Sequence, residues 1–262
     1  MEEVIQIPKA KLNSGHQMPL LAMGTASPWL PEAEQLTSIL IHAIEMGYRH
    51  FDTAAVYGSE EALGRAVAAA LRRGLVASRD ELFITTKLWC SETERHLVVP
   101  ALRRSLGRLG LDYVDLYLIH WPLRLKDAAE SFEIKTENVI PFDMKGTWEG
   151  MEECCNLNLA KSIGVSNFTS TKISQLLQNA TIPPAVNQVA LRWVYEEGAC
   201  VIVRSFNHER MKQNLQIFNW ELEEEEIAKI QQIPQRRGCK GEVFIHSNGP
   251  YKSVEELWDG DI

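Results

Sequence analysis

Residues 48–58 read YRHFDTAAVYG. Tyr48, His50 and Phe51 make a short β-type run that ends at Asp52, after which small residues lead to Tyr57 and Gly58. A strand that stops at an acid and turns into a loop carrying a phenol is a place to stage proton chemistry. Alone, that signal is weak. Two later strand candidates strengthen it: FITTKLW (83–89) carries Lys87 near its end, and YVDLYLIHWP (113–122) delivers His120.

Outward from this stretch, strand and helix patterns alternate. Leu36, Ile39, Leu40, Ala43 and Ile44 repeat at helical spacing within 32–46 and stop at Gly47, and a second helical pattern covers 59–73. Further helices are expected over ETERHLVVPALRRSLGRLG, GTWEGMEECCNLNL, TKISQLLQNA, LRWVYEEG and ELEEEEIAKIQQI. Strand candidates begin near 20, 48, 82, 113, 160, 184 and 199, while KLNSGHQMP predicts a small amino-terminal hairpin and 124–145 a polar excursion. Nearly continuous apolar strands alternating with helices describe a parallel sheet covered by helices. Alternation alone leaves open a closed barrel and an open doubly wound sheet.

The chain has 262 residues, 45% of them apolar and 24% charged, with no composition break to mark a second domain, so 1–262 reads as one domain. Its net charge of −8 argues against nucleic acid or an anionic membrane as partner. Cys90, Cys154, Cys155, Cys200 and Cys239 form no C-x-x-C pair and read as free thiols. The acidic start MEEVIQIPKA is no secretory signal, and no apolar run approaches the ~18 residues of a membrane span, so a cytoplasmic location is expected. No G-x-G-x-x-G, P-loop, H-E-x-x-H, G-x-S-x-G or Tyr-x-x-x-Lys motif occurs, and no metal site is expected.

What remains are polar residues at strand ends: Asp52, Lys87, His120, Ser166, Asn167 and Gln188. Ligands of parallel α/β folds bind at that end. An ammonium interrupting an apolar strand needs an acid, and Asp52 is available to Lys87; a purely structural ion pair meets the same need. Next to Tyr57, the ammonium is expected to lower the phenol's pKa, so that Tyr57 protonates a developing alkoxide while His120 orients the carbonyl. A lone histidine is ordinarily a satisfied core residue, but this one ends a strand beside Trp121 and Pro122.

Y-R-H-F-D-T-A-x-x-Y-G, T-K-L-W, L-I-H-W-P, K-S-I-G-V-S-N-F and V-N-Q, in that order, resemble the aldo-keto reductases. F-D-M-K-G-T-W-E-G-M-E and R-S-F-N-H-E-R-M-K-Q-N-L look closest to their plant branch, whose known activities belong to secondary metabolism. The resemblance implies a (β/α)8 TIM-type barrel closed below by the hairpin, a monomer, and metal-free reduction of a small-molecule aldehyde or ketone by NADPH. It puts Asp52, Tyr57, Lys87 and His120 at the catalytic tetrad and Ser166, Asn167 and Gln188 at the nicotinamide carboxamide. Gly24 and Thr25 fall beside the cofactor, and Arg204, Ser205, Phe206, Asn207, Arg210 and Asn214 at the adenosine 2′-phosphate. Two arginines and a serine just past a strand make a sensible phosphate clamp, although a solvated basic face has the same composition. Trp29, Trp89, His120 and Trp121 are expected at the substrate; aromatics at strand ends also serve as packing. The tail HSNGPYKSVEELWDGDI resembles the family's variable, substrate-selecting segment.

One departure is visible. V-N-Q runs almost directly into the helix before the last strand, so about 60 residues, two units at ~30 each, are expected to be missing, with the seventh strand and its neighbouring helix among them. An incomplete barrel that binds cofactor less tightly is one expectation. A catalytically impaired or non-catalytic regulatory protein of the same fold is the alternative.

Overall fold

A computed structural model describes residues 7–126, 134–186, 200–218, 224 and 240–260. Strands β1 (Lys9–Lys11) and β2 (Gln17–Pro19) form the expected antiparallel hairpin. There follow β3 (Leu21–Gly24), α1 (Ala33–Glu45), β4 (His50–Asp52), α2 (Glu60–Arg72), β5 (Phe83–Leu88), α3 (Arg95–Leu109) and β6 (Val114–Ile119). The polar excursion carries a two-residue ladder of β7 (Arg124–Leu125) with β8 (Val139–Ile140). Then come α4 (Met144–Asn156), β9 (Ala160–Val165), α5 (Ser170–Leu177), β10 (Val201–Val203), α6 (His208–Leu215) and a short α7 (Val254–Leu257). The expected helices at LRWVYEEG and ELEEEEIAKIQQI fall on or mostly on residues outside the described set. Helix α6 was not anticipated.

Six strands form one parallel sheet in the order β10-β3-β4-β5-β6-β9. The last strand lying against the first is the neighbour relation of a wall that curls back on itself. At the other end the ladder continues past β9, where Ala185 N donates to Ile163 O at 2.8 Å and Val165 N to Val186 O at 3.0 Å. That is the start of the strand expected near 184. Closure between Val186 and β10, and with it the expected loss of the seventh strand, concerns residues 187–199, outside the described set.

Side chains alternate through the wall, as the two-residue period of a strand requires. On β6, Leu116 and Leu118 face inward with Phe83, Leu12 and Met18, so the hairpin plugs the lower end of the interior. Tyr117 and Ile119 pack outward under the helices. The predicted face of α1 is the buried one, Leu36, Ile39, Leu40, Ala43 and Ile44, and each large side chain there contributes ~1.5–3 kcal/mol. On β5, Phe83, Thr85 and Lys87 share the inward face, from the plugged end to the open mouth. The inward period places the one ammonium of β5 at the carboxyl end.

Candidate active site

Register sets the site. Asp52 pairs with Thr85, one inward step below Lys87. The lysine therefore reaches back across the wall, and Nζ donates to Asp52 Oδ1 at 2.6 Å and to Thr53 O at 3.0 Å. Both side chains are buried, 2% and 6% exposed. Burial opposes the Lys87 charge, but Asp52 and Tyr57 outweigh it and hold the ammonium above its ordinary pKa. Burial likewise lifts the Asp52 carboxyl, against the pull of Lys87.

After β4 the chain makes a single 3-10 turn, Ala55–Tyr57, that ends at Gly58 with φ 69°. Only a residue free of Cβ strain turns that corner readily, and the turn aims Tyr57 across the mouth. Its Oη lies 3.2 Å from His120 Nε2, and Lys87 Nζ sits 4.9 Å from the ring centroid. All four tetrad candidates thus converge.

The expected direction of the phenol's pKa needs correcting. Burial raises it above its usual value, with Lys87 pulling down and Asp52 pushing up. The carboxylate bound to Lys87 offsets much of the ammonium's field at the phenol, so desolvation prevails. His120 is held well below its ordinary pKa by burial and then by Lys87, so its ring is neutral. Asp52 Oδ2 and His120 Nδ1 have no hydrogen-bond partner among the described residues.

Behind the tetrad lies a chain of hydroxyls that the sequence reading missed. Thr25 Oγ1 donates to Asp52 O at 3.1 Å and lies 2.7 Å from Ser59 Oγ, which is 2.8 Å from Thr53 Oγ1. Thr25 is fully buried, so it braces the Asp52 backbone and offers no surface to a ligand. Gly24 is buried too; a Cβ there would come within 3.0 Å of Ile202 Cγ2. At the end of β9, Asn167 adopts φ 60° and donates from Nδ2 to His120 O at 2.8 Å and to Ser166 Oγ at 3.1 Å. Ser166 and Asn167 therefore join the rim beside His120. Gln188 lies outside the described residues.

Past β10, Arg204 is exposed and bonds Ala26 O from Nη1 at 3.1 Å. Ser205 Oγ accepts from Asn207 N, and Asn207 Oδ1 caps α6 by accepting from Arg210 N at 3.0 Å. Phe206 packs against the main core. Asn214 turns inward to bond Tyr48, whose own hydroxyl donates to Met211 O. Arg204 and Arg210 form no ion pair among the described residues, and they flank the start of α6. That donor set fits an anionic group such as a phosphate monoester.

The aromatic candidates divide. Trp89 is 1% exposed and packs edge-on to His120 with ring centroids 5.2 Å apart, so it supports the imidazole and presents almost no surface. Trp121 packs at a tilt against Phe244 and Trp258, with ring centroids 5.0 and 5.9 Å apart. Trp29 is 86% exposed and packs in none of the three apolar clusters of described residues. Phe244 and Trp258, which share an apolar cluster with Trp89 against which Tyr57 and Trp121 pack, were not singled out in the sequence; Trp258 in the tail was the available signal.

A parallel α/β wall with an acid, a phenol, an ammonium and an imidazole at its mouth defines a barrel oxidoreductase site. The sequence matches the model of the Aldo/keto reductase family over residues 21–190 and again over 185–235. The chain belongs to that family. It is 48% identical to rhazimal reductase 2 of Alstonia scholaris over 323 aligned positions, covering 100% of both chains. It is 44% identical over 305 positions to deoxymugineic acid synthase 1-D of Triticum aestivum, covering 94% of this chain and 97% of that one. Among solved structures, it superposes on the Bombyx mori aldo-keto reductase in complex with NADP with a TM-score of 0.79 at 33% identity, covering 87% of this chain and 93% of that one.

Proposed function

We propose that this chain, acting as one domain over residues 1–262, reduces a small-molecule aldehyde or ketone to the alcohol with NADPH. The observation that carries the reading is the Tyr57 Oη to His120 Nε2 approach at 3.2 Å above a buried Lys87–Asp52 pair. NADPH, when bound, supplies the hydride. Arg204 and Arg210 would hold its 2′-phosphate, with Ser205 and Asn207 shaping the turn between them, and Ser166, Asn167 and Gln188 its carboxamide.

The substrate oxygen sits between Tyr57 Oη and His120 Nε2. His120, neutral, orients it without competing for the proton. Tyr57, kept protonated by its raised pKa, transfers its proton from Oη as negative charge develops on that oxygen. Lys87 then lies beside the phenolate so formed, and Asp52 holds Lys87 charged and in place. The phenol's high pKa suits it to act as an acid in the reductive direction.

The test is turnover of 4-nitrobenzaldehyde with NADPH by the purified chain and by Tyr57→Phe. The variant is expected to lose activity by ~10²–10⁴-fold, the range of a positioned general acid, while binding NADPH normally. Equal turnover by both proteins would remove Tyr57 from the reaction.

A second reading is an impaired or regulatory protein of the same fold. Two features favour it: the family match falls in two segments that meet at 185–190, and 262 residues align over 323 positions. We infer from these an internal shortening after Gln188 that weakens cofactor binding. NADPH titration against a relative of full length decides it, since equal affinities would reject the impairment.

A further inference from the structure

Resting on the reductase reading above, we propose that Lys172 and Asp259 form a latch that seats the carboxy-terminal tail over the substrate mouth, making them positioning residues for large carbonyl substrates. Lys172 is on α5, on the outer layer, away from the tetrad. Its Nζ donates to Asp259 Oδ2 at 2.5 Å and to Leu257 O at 2.9 Å. Thr169 Oγ1 donates to the same carboxylate oxygen at 2.5 Å. The ammonium also lies 5.9 Å from the centroid of the Tyr251 ring, within cation–π range.

These contacts converge on a tail that is folded on itself. Trp258 Nε1 donates to Lys240 O at 2.8 Å, and His246 N to Tyr251 O at 3.1 Å. The 240–260 segment is therefore cross-braced within itself. Trp258 is adjacent to Asp259 and packs at a tilt against Trp121, and Trp121 follows His120 in the chain. The latch is thus joined to the site through neighbouring rings.

The pair is also unlike an ordinary surface bridge. The Lys172 side chain is 7% exposed and the Asp259 side chain 26%, at the edge of a cleft of about 400 Å³ between α4, α5 and the tail. A buried ammonium anchored on one carboxylate and one carbonyl is costly to leave unpaired, so the tail is held in one register. Asp259 has φ 56°. Asparagine adopts that conformation readily, so Asp259→Asn removes the charge and leaves the backbone alone.

The experiment uses the full chain and its Asp259→Asn, Lys172→Met and doubly substituted variants. Each is assayed with NADPH on 4-nitrobenzaldehyde and on the longer 4-benzyloxybenzaldehyde, with amide exchange followed over 240–260. The single variants should raise KM for the longer aldehyde about tenfold, equivalent to ~1.4 kcal/mol. The shorter aldehyde's KM, kcat and NADPH affinity should be little changed. Exchange in the tail should quicken, and the double variant should be no worse than either single one. Unchanged exchange, equal KM changes on both aldehydes, or additive effects would overturn the latch. If the unsubstituted chain turns over neither aldehyde, the reductase reading fails, and exchange over 240–260 alone still decides whether Lys172 and Asp259 hold the tail.

Discussion

Lys87 Nζ lies 2.6 Å from Asp52 Oδ1, joining β5 to β4 across the mouth with both side chains almost wholly enclosed. The ion pair is therefore a structural commitment as well as part of the proposed catalytic site. Lys87→Met would leave a carboxylate buried without its counter-ion and is expected to destabilise the fold by ~3–5 kcal/mol. Adding Asp52→Leu should recover much of that loss, because no charge then remains to be solvated. Urea denaturation of the single and double variants measures both effects. An unchanged midpoint in Lys87→Met would show that the carboxylate finds another partner.

The reductive rate should be flat through neutral pH. Burial holds His120 well below its ordinary range, so no break is expected near the usual imidazole value. Burial also raises the Tyr57 pKa, so its proton is lost only in the alkaline range and the rate falls as pH rises through that value. A kcat profile for aldehyde reduction checks both limbs. A clear inflection near pH 6.5 would assign His120 a charged role.

His50 predicts acid sensitivity of the fold itself. Its ring is buried between Pro19 O and Thr85 Oγ1, each at 3.0 Å, an arrangement satisfied by one neutral tautomer. Burial lowers its pKa to about 4 from 6.5. The folded pKa lies below the unfolded one, so this stability is fully present above pH ~6.5 and is lost as pH falls toward 4. The loss should approach roughly 3 kcal/mol at ~1.4 kcal/mol per pKa unit. Thermal melts of the chain and of His50→Gln between pH 7 and 4 test this, and the variant should show a shallower decline.

Arg204 and Arg210 should discriminate NADPH from NADH. Alanine at either position is expected to weaken NADPH on the order of tenfold or more, from the ~1.5–3 kcal/mol of a charge-assisted hydrogen bond. NADH affinity should barely change. Fluorescence titration with both nucleotides measures the ratio, and parallel losses for both would place the arginines elsewhere.

Much of this was legible because it is local. The spacing of Leu36, Ile39, Leu40, Ala43 and Ile44 announced α1 and its buried face. The tetrad was legible because each member ends a strand or follows one. Helix α6 went unread although its signals were present: Asn207 as cap, Glu209 in the first turn, and Met211 with Leu215 buried four residues apart. The Thr25–Ser59–Thr53 hydroxyl chain had no such signature. Hydroxyls are common in loops, and their partners are chosen only when strands are brought together.

The amino-acid order by itself determined the succession of strands and helices and which residues stand at the strand ends, since both follow from periodicity among neighbours. Tertiary structure decided the rest. It set the step by which Lys87 reaches down to Asp52, the upward direction of the Tyr57 pKa, the enclosure of Trp89, the exposure of Trp29, and the seat of the tail on Lys172. These depend on desolvation and on contacts between residues distant in the chain, 87 positions apart for Lys172 and Asp259, and no local pattern encodes them.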